Sequence, residues 1–239
     1  MEQVKVIAIT QARVGSTRLP RKVLLPFGDD TLLGVHLNRL SQAKSIDECI
    51  VATTDEEGSQ AIVKIAKSKG ISTFQGSLND VLDRFYQAAL LHRPTHVVRV
   101  TSDCPLIDPE LIDSVVKEAL NEGYDYFANI LVEDFPDGQD VEVFTFKALE
   151  KAWNEATTNT EREHVTPYIR NNSSFKGGSL FKSADYFAPE NFNHVRMTVD
   201  EAIDLEVMQW LVNELGTDKD WLTYAKYMLA NQTQLANVH

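Results

Sequence analysis

Apolar and polar positions along the chain follow two periods that predict strands and helices in turn. Val4 to Ile9 is a nearly continuous apolar run, typical of a strand buried on both faces of a parallel sheet. Residues 32–43 carry leucines at helical spacing and are followed by a second apolar run over residues 48–53. This alternation continues to residue 128 and is typical of right-handed βαβ units. It therefore predicts an α/β protein with a doubly wound, mainly parallel sheet.

The remaining elements follow from the same periods and from glycines that end helices. Further helices are predicted over residues 61–69, 80–92, 109–121, 147–156, 160–170, 202–215 and 221–230, and further strands over residues 71–74, 96–101, 140–144, 176–181 and 196–199. Residues 130–195 do not continue the regular alternation of strands and helices. We therefore expect one domain, 1–239, in which an inserted α+β segment of about 130–195 completes a substrate pocket or forms a homodimer contact. Residues 196–199 are expected to return to the sheet.

The net charge and its distribution along the chain limit the kinds of ligand that the protein is expected to bind. The net charge of −12 argues against a nucleic-acid partner, because a phosphate backbone binds to a basic face. Residues 1–22 nevertheless carry a net +4, which leaves −16 on the rest of the chain. A cationic loop on an acidic body suits one small polyanion.

Compartment is predicted from three negative observations. The sequence shows no apolar segment long enough to span a bilayer, no signal-peptide layout at its start and no CxxC pair among its two cysteines. A cytoplasmic protein without a membrane partner, a disulfide framework or a zinc site is the resulting expectation.

The loop after the first strand is the strongest candidate for chemistry. It lies at the carboxyl end of a strand, where ligands bind in open α/β sheets. Gly15 permits a tight turn, Ser16 offers a hydroxyl, and Arg13 and Lys22 belong to a set of four cations that can cradle a triphosphate. Neither GxxxxGK[ST] nor GxGxxG is present, which disfavours P-loop and dinucleotide-binding interpretations. The alternative interpretation is a solvated basic turn.

Two aspartates follow predicted strands. Asp103 follows the predicted strand 96–101, so it lies on the same sheet edge as the cationic loop. Asp200 lies between a short predicted strand and a helix, where aspartate is also favoured as a helix N-cap. Asp103 is therefore a candidate ligand of Mg²⁺, which prefers one or two carboxylates together with water and phosphate oxygens.

Five longer motifs carry a family resemblance. They are ITQARVGSTRLPRKVL at 9–24, DVLDRFY at 80–86, TSDCPLI at 101–107, DGQDVE at 137–142 and EREHVTPY at 161–168. They resemble the cytidylyltransferase superfamily that includes CMP-Kdo and CMP-sialic acid synthetases, and above all its spore coat polysaccharide biosynthesis protein F branch. One departure is Arg21, which stands where the family motif usually has Gly and so replaces a permissive backbone position.

The resemblance implies a nucleotide-diphospho-sugar transferase-like fold and a reaction. CMP is transferred from CTP to an acidic sugar, Kdo-like or nonulosonic-acid-like, with release of pyrophosphate for cell-surface polysaccharide biosynthesis. Arg13 and Lys22 are the implied catalytic cations, and Asp103 and Asp200 the implied catalytic metal ligands. Mg²⁺ is the implied cofactor.

The resemblance also implies two sets of binding residues. The nucleotide-binding set is Gln11, Ala12, Arg13, Gly15, Ser16, Lys22, Thr53, Ser77, Asp80, Arg84 and Asp103. The sugar-binding set is Asp140, Glu142, Arg162, His164, Tyr168 and Arg196. Arg162 or Arg196 can pair with a sugar carboxylate, and His164 can either accept a proton or play a helix-capping or structural part.

Two other functions stay open. A glycosyltransferase with a nucleotide-sugar donor uses a similar sheet and an aspartate-bound metal, but no DxD follows a central strand here, since Asp103 is followed by Cys104-Pro105. A non-catalytic nucleotide sensor is disfavoured because both candidate metal carboxylates and both triphosphate cations are present. The acceptor stays unidentified: Kdo-like, sialic-like and other nonulosonic acids fit, and so does a polyol phosphate.

Overall fold

The computed structural model describes residues 3–235, which form a central sheet with helices on both faces. The strands are β1 (Val6–Gln11), β2 (Pro26–Phe27), β3 (Asp30–Thr31), β4 (Glu48–Thr54), β5 (Ser72–Gly76), β6 (His96–Thr101), β7 (Tyr126–Ala128), β8 (Glu142–Thr145) and β9 (Ser183–Asp185). The helices are α1 (Leu32–Leu40), α2 (Ser59–Ser68), α3 (Val81–His92), α4 (Pro109–Glu122), α5 (Phe146–Glu155), α6 (Asn159–His164), α7 (Pro167–Asn171), α8 (Ala202–Leu215), α9 (Trp221–Ala230) and α10 (Gln232–Leu235).

Seven of the strands form one sheet in the order β5-β4-β1-β6-β8-β7-β9. All neighbours pair in parallel except those of β8, which runs antiparallel to both β6 and β7. Strands β2 and β3 form a small separate hairpin. The predicted α/β fold with a mainly parallel, doubly wound sheet is therefore confirmed.

Alternate side chains of β1 explain why its sequence is continuously apolar. Ile7 and Ile9 pack into the cluster that contains α3 and α5, whereas Val6 and Ala8 pack on the opposite face against α4. Both faces of β1 are thus covered by helices, as a central parallel strand requires. Its carboxyl end, and that of the adjacent β6, open at one edge of the sheet.

Residues 130–195 are joined closely to this sheet. They supply the antiparallel strand β8 and the edge strand β9, together with α5, α6 and α7. A homodimer contact on this segment stays a prediction. Within residues 3–235, no helix has the length and apolar content that crossing a membrane would require.

The single helix predicted over 160–170 is wrong, because α6 and α7 are separated at Val165. This residue has φ 71° and ψ −59°, and Thr166 N donates to His164 O at 2.9 Å across it, which forms a γ-turn. Pro167 opens α7, where its missing N–H costs nothing. Val165 is fully buried in the core, so packing holds a backbone conformation that a β-branched residue rarely adopts.

Two predicted strands are also wrong. The strand expected over 176–181 is replaced by a 3-10 turn, Ser174–Lys176, followed by Gly177 at φ 81°, and the edge strand β9 begins only at Ser183. Residues 196–199 do not rejoin the sheet. Their backbone instead bonds to two loops, since Met197 N donates to Asp137 O (2.7 Å) and Val199 N donates to Asp103 O (2.8 Å).

Candidate active site

The loop after β1 turns back so that Lys22 points into the edge of the sheet. Ser16 Oγ accepts from Leu19 N at 3.4 Å, and Arg21 N donates to Val14 O at 3.2 Å. Arg21 itself has φ 57° and ψ 27°, the left-handed conformation that favours glycine. The position at which the sequence departs from the family motif is therefore a real left-handed turn, occupied by arginine.

Lys22 links the two candidate metal carboxylates. Its Nζ donates to Asp103 Oδ2 at 3.0 Å, to Asp200 Oδ1 at 2.8 Å and to the carbonyl of Val199 at 2.9 Å. Only 13% of the Lys22 side chain is exposed, against 28% for Asp103 and 21% for Asp200. Asp103 and Asp200, which lie 81 and 178 positions from Lys22 in the sequence, thus both contact its Nζ.

The local electrostatics keep Lys22 and Asp200 charged. Burial tends to lower the pKa of Lys22, but the charges and hydrogen bonds of Asp103 and Asp200 raise it above its ordinary value. Burial likewise opposes ionisation of Asp200, yet its pKa is lowered by Lys22 first and then by Arg18 and Arg196. An ammonium is therefore held between two carboxylates, which shows that their oxygens converge on a cation.

The alternative role of Asp200 as the N-cap of α8 is wrong. Glu201 is the N-cap, and Asp204 completes a capping box by accepting from Glu201 N at 3.0 Å. The carboxylate of Asp200 is consequently free of the helix end and faces Lys22. Asp200 therefore shares the sheet edge with Asp103.

A cleft of about 650 Å³ opens above this group of residues. Ten of the predicted site residues line it: Gln11, Ala12, Arg13, Ser16, Lys22, Arg84, Asp103, Arg162, His164 and Asp200. The roles assigned to them stay predictions. The cleft also contains residues that the sequence analysis did not select: Thr17, Arg18, Val23, Leu78, Asn79, Val81, Thr101, Ser102, Asn159 and Glu163. Thr17 and Arg18 belong to the loop already singled out and Glu163 to the motif at 161–168, whereas Asn159 on α6 carries no signal in a single sequence.

Arg84 brings a buried cation to the cleft wall. It is 2% exposed, its Nη1 donates to Ser77 O at 2.7 Å, and its Nε has no hydrogen-bond partner among residues 3–235. Burial, followed by the nearby Arg13, lowers the pKa of Arg84 to about 10. Two neighbouring guanidinium groups at one wall favour an anionic or acceptor-rich ligand.

Arg162 is already paired with a protein carboxylate. Its Nε contacts both Asp80 oxygens at 3.0 Å, and its Nη1 donates to Trp153 O at 2.7 Å. Asp80 also caps α3 by accepting from Asp83 N at 2.9 Å. This ion pair joins α6 to the start of α3 and forms a wall of the cleft. Asp80, predicted to bind the nucleotide, and Arg162, predicted to bind the sugar, therefore pair with each other.

The other predicted residues lie outside the cleft lining. Gly15 is exposed beside Glu56, Thr53 is fully buried in β4, and Ser77 lies in the turn before α3. Tyr168 donates to Glu155, whereas His164 is exposed on the cleft at the end of α6.

The acidic residues near β8 are held mainly by the protein. Glu142 is 1% exposed and accepts from Tyr126 Oη at 2.5 Å and from Arg99. Burial, with Asp137 and Glu142 nearby, raises the pKa of Asp140 to about 7. Their predicted contact with a sugar stays a prediction.

Arg196 contacts three carboxylates. Its guanidinium bonds to Asp137, to Asp200 Oδ2 at 3.2 Å and to both oxygens of Asp204 at 2.9 and 3.0 Å. The hydrogen bonds to Asp204 have the bidentate geometry that favours arginine over lysine. Its guanidinium is therefore taken up by protein carboxylates.

Comparison with known proteins identifies the family. Residues 7–220 match the cytidylyltransferase family. An uncharacterised protein of Methanocaldococcus jannaschii is 42% identical over 205 residues, which cover 85% of this chain and 81% of that protein. The spore coat polysaccharide biosynthesis protein SpsF of Bacillus subtilis is 33% identical over 222 residues, 90% of this chain and 89% of SpsF. A cytidylyltransferase structure from Leptospira borgpetersenii, 35% identical, superposes with a TM-score of 0.91 over 97% of this chain and 96% of that one. The chain therefore belongs to the cytidylyltransferase family of nucleotidyltransferases.

Proposed function

We propose that this enzyme transfers CMP from CTP to an acidic sugar and releases pyrophosphate, as a step of cell-surface polysaccharide biosynthesis. The observation that carries the proposal is the meeting of Lys22, Asp103 and Asp200 beneath a cleft whose walls carry Arg13 and Arg84. The likeness to a spore coat polysaccharide biosynthesis protein supports the biosynthetic role.

The chemistry demands that charge be neutralised before the reaction. A sugar hydroxyl must attack an α-phosphorus surrounded by anionic oxygens while pyrophosphate leaves in line with it. Arg13 lines the cleft and holds the triphosphate, whereas the ammonium of Lys22 stays bonded to Asp103 and Asp200 beneath it, and both positive charges stabilise the pyrophosphate as it leaves. Arg84 adds a buried positive charge near Arg13.

The donor set fits a divalent cation. The carboxylates of Asp103 and Asp200 already converge on one cationic atom, and in residues 3–235 no group of three or more His, Cys, Asp or Glu residues is arranged to hold a metal. Two carboxylates completed by water and phosphate oxygens are the usual ligands of Mg²⁺, so we propose Mg²⁺ held by Asp103 and Asp200. Such an ion supplies Lewis-acid activation and a template for the attacking and leaving oxygens.

An acidic acceptor is supported by the exposed basic side chains that line the cleft. Arg162 and Arg196 are both paired with aspartates. Arg18 also pairs with an aspartate, Asp200 at 3.1 Å, but 58% of its side chain is exposed, and it lines the cleft together with His164. We therefore place the acceptor carboxylate beside Arg18 and His164 and assign Arg162 to the wall itself.

A pyrophosphate-release screen tests this function. CTP, UTP, ATP and GTP are each combined with Mg²⁺ and with Kdo-like, sialic-like and other nonulosonic acids and a polyol phosphate. We expect release with CTP and one keto-sugar acid, and release slower by two to about three decades with the Asp103→Asn variant. Release of UDP from a nucleotide-sugar donor would instead indicate a glycosyltransferase, and nucleotide binding without turnover would indicate a sensor.

The proposal includes a cytoplasmic homodimer. Residues 130–195 carry exposed apolar side chains, among them Phe187 at 61% and Leu180 at 45%, which an interface would cover. Light scattering should therefore give twice the chain mass of 26.9 kDa. A mass of one chain would reject the homodimer.

A further inference from the structure

Backbone hydrogen bonds on either side of Arg196 fix its position independently of its side chain. Asp137 N donates to Val195 O at 3.0 Å and Met197 N donates to Asp137 O at 2.7 Å, so Arg196 is bracketed by two bonds to one residue. Gly138 next to it has φ 107°, and a Cβ there would lie 2.7 Å from the Met197 carbonyl carbon. The loop of residues 137–140 thus packs against the segment before Asp200 at a distance that only glycine permits.

The side chain of Arg196 then spans from this loop to the start of α8. Nη1 donates to Asp137, while Nε and Nη2 form a bidentate pair with Asp204. Asp204 in turn accepts from Asp200 N at 2.9 Å. The guanidinium and its partners therefore fix both the backbone and the side chain at Asp200.

The two oxygens of Asp200 are used differently. Oδ2 accepts from Arg196 at 3.2 Å and lies 3.1 Å from Arg18, whereas Oδ1 faces Lys22 at 2.8 Å, on the side of Asp103. Asp204 is only 11% exposed and Asp200 21%. Without Arg196, three neighbouring carboxylates would lose their shared cation and repel one another.

We propose that Arg196 is a positioning residue that holds Asp200 with Oδ1 directed at the cation site, in place of the sugar-binding role expected from sequence. The inference rests on the proposed function, since it gives Asp200 the part of a metal ligand. Partners that orient a metal ligand in this way typically contribute 10- to 100-fold to metal affinity or activity.

Substitution of Arg196 with three readouts tests the proposal. For Arg196→Gln we expect kcat to fall about 10- to 100-fold, the KM for the acceptor to change less than about twofold, and Mn²⁺ to bind about 10- to 100-fold more weakly. Mn²⁺ binding is measured by electron paramagnetic resonance, with Mn²⁺ alone and with Mn²⁺ plus CTP. Arg196→Lys should recover only part of each loss, because one ammonium cannot reproduce the bidentate pair. It also serves as the second variant if Arg196→Gln does not fold.

Lys219→Gln is the matched control. Its side chain is also 45% exposed and paired with an aspartate, Asp218, but that aspartate is not a candidate metal ligand. It should leave all three readouts unchanged. A raised acceptor KM with unchanged Mn²⁺ affinity in Arg196→Gln would overturn the proposal and restore the sugar-binding role. If the wild-type protein releases no pyrophosphate with any substrate, the proposed function fails, whereas the Mn²⁺ comparison still decides the role of Arg196.

Discussion

Replacing Lys22 with methionine separates the catalytic contribution of this residue from its structural one. Methionine keeps much of the stem but removes the ammonium that contacts Asp103, Asp200 and the Val199 carbonyl. Loss of one partner of a fully buried ion pair costs about 3–5 kcal/mol. Since 28% of Asp103 and 21% of Asp200 are exposed, water screens part of this cost, and we expect about 2 kcal/mol.

The expected effect on turnover is larger than the effect on stability. A loss of about 2 kcal/mol corresponds to a fall of roughly 4–8 °C in the melting temperature of a chain of this size, so the variant stays folded. Removing a preorganised charge that stabilises the leaving group costs about 3–4 kcal/mol of transition-state stabilisation. That is two to about three decades in the rate of pyrophosphate release.

Lys69→Met provides the control for burial. Lys69 is 17% exposed, against 13% for Lys22, and its Nζ also contacts two side-chain acceptors, Asp30 at 2.7 Å and Asn38 at 2.8 Å. It does not line the cleft. We expect a similar fall in melting temperature and normal turnover. Folded Lys22→Met with turnover within tenfold of the wild type, or an equal loss of turnover in Lys69→Met, would refute the reasoning.

Three further predictions test the metal ligands, a buried histidine and the left-handed turn. Asp103→Asn and Asp200→Asn should each lose two to about three decades of pyrophosphate release while circular dichroism stays native; near-normal turnover would end the metal assignment. His36 is fully buried between the Cys104 carbonyl and Thr10, and burial lowers its pKa to about 4 from the ordinary 6.5. Between pH 6.5 and about 4, the unfolded chain therefore binds a proton at His36 that the folded chain does not bind. The free energy of unfolding from urea titrations should fall by about 3 kcal/mol between pH 6.5 and 4, and an unchanged slope in His36→Gln would contradict this assignment. Arg21→Gly should raise the free energy of unfolding by about 0.5–1 kcal/mol, because glycine removes the steric cost of the left-handed backbone; a lower urea midpoint would disagree.

Local sequence patterns predict the elements of this fold well where one face or both faces of an element are buried. The continuous apolar run of β1 follows from helices on both sides of it. Helix α4 is bounded by chemistry visible in the sequence, with Asp108 capping its start and Gly123 ending it at φ 61°. These signals depend on neighbours within a few positions, which a single sequence contains.

The errors arise where distant packing overrides such local signals. The buried side chain of Val165 fixes a γ-turn inside an otherwise helical pattern. Strand β8 reads as an ordinary strand, but its position between β6 and β7 and its reversed direction are set by which strands it pairs with. Neither feature has a local pattern of its own.

For the same reason, the sequence predicts where the site lies but not which of its residues pair with one another. A position after a strand places Asp103 on the ligand-binding edge of the sheet, and the cationic loop lies on that edge for the same reason. That Lys22 bridges Asp103 and Asp200, and that Arg162 pairs with Asp80, depends on contacts 81 to 178 positions apart. Pairings over such distances are a property of the folded chain.

The charges that line the cleft explain how a chain with a net charge of −12 can offer a site for a polyanion. At physiological ionic strength, charges separated by more than about 8 Å of solvent are largely screened from one another. A bound triphosphate therefore responds to the charges that line the cleft far more than to the distant acidic surface. The cleft is lined by five cationic side chains and three carboxylates, and Arg84 among the cations has a buried guanidinium nitrogen without a partner in residues 3–235. Since cations outnumber carboxylates in the cleft lining, the local balance favours a phosphate even though the molecule as a whole is acidic.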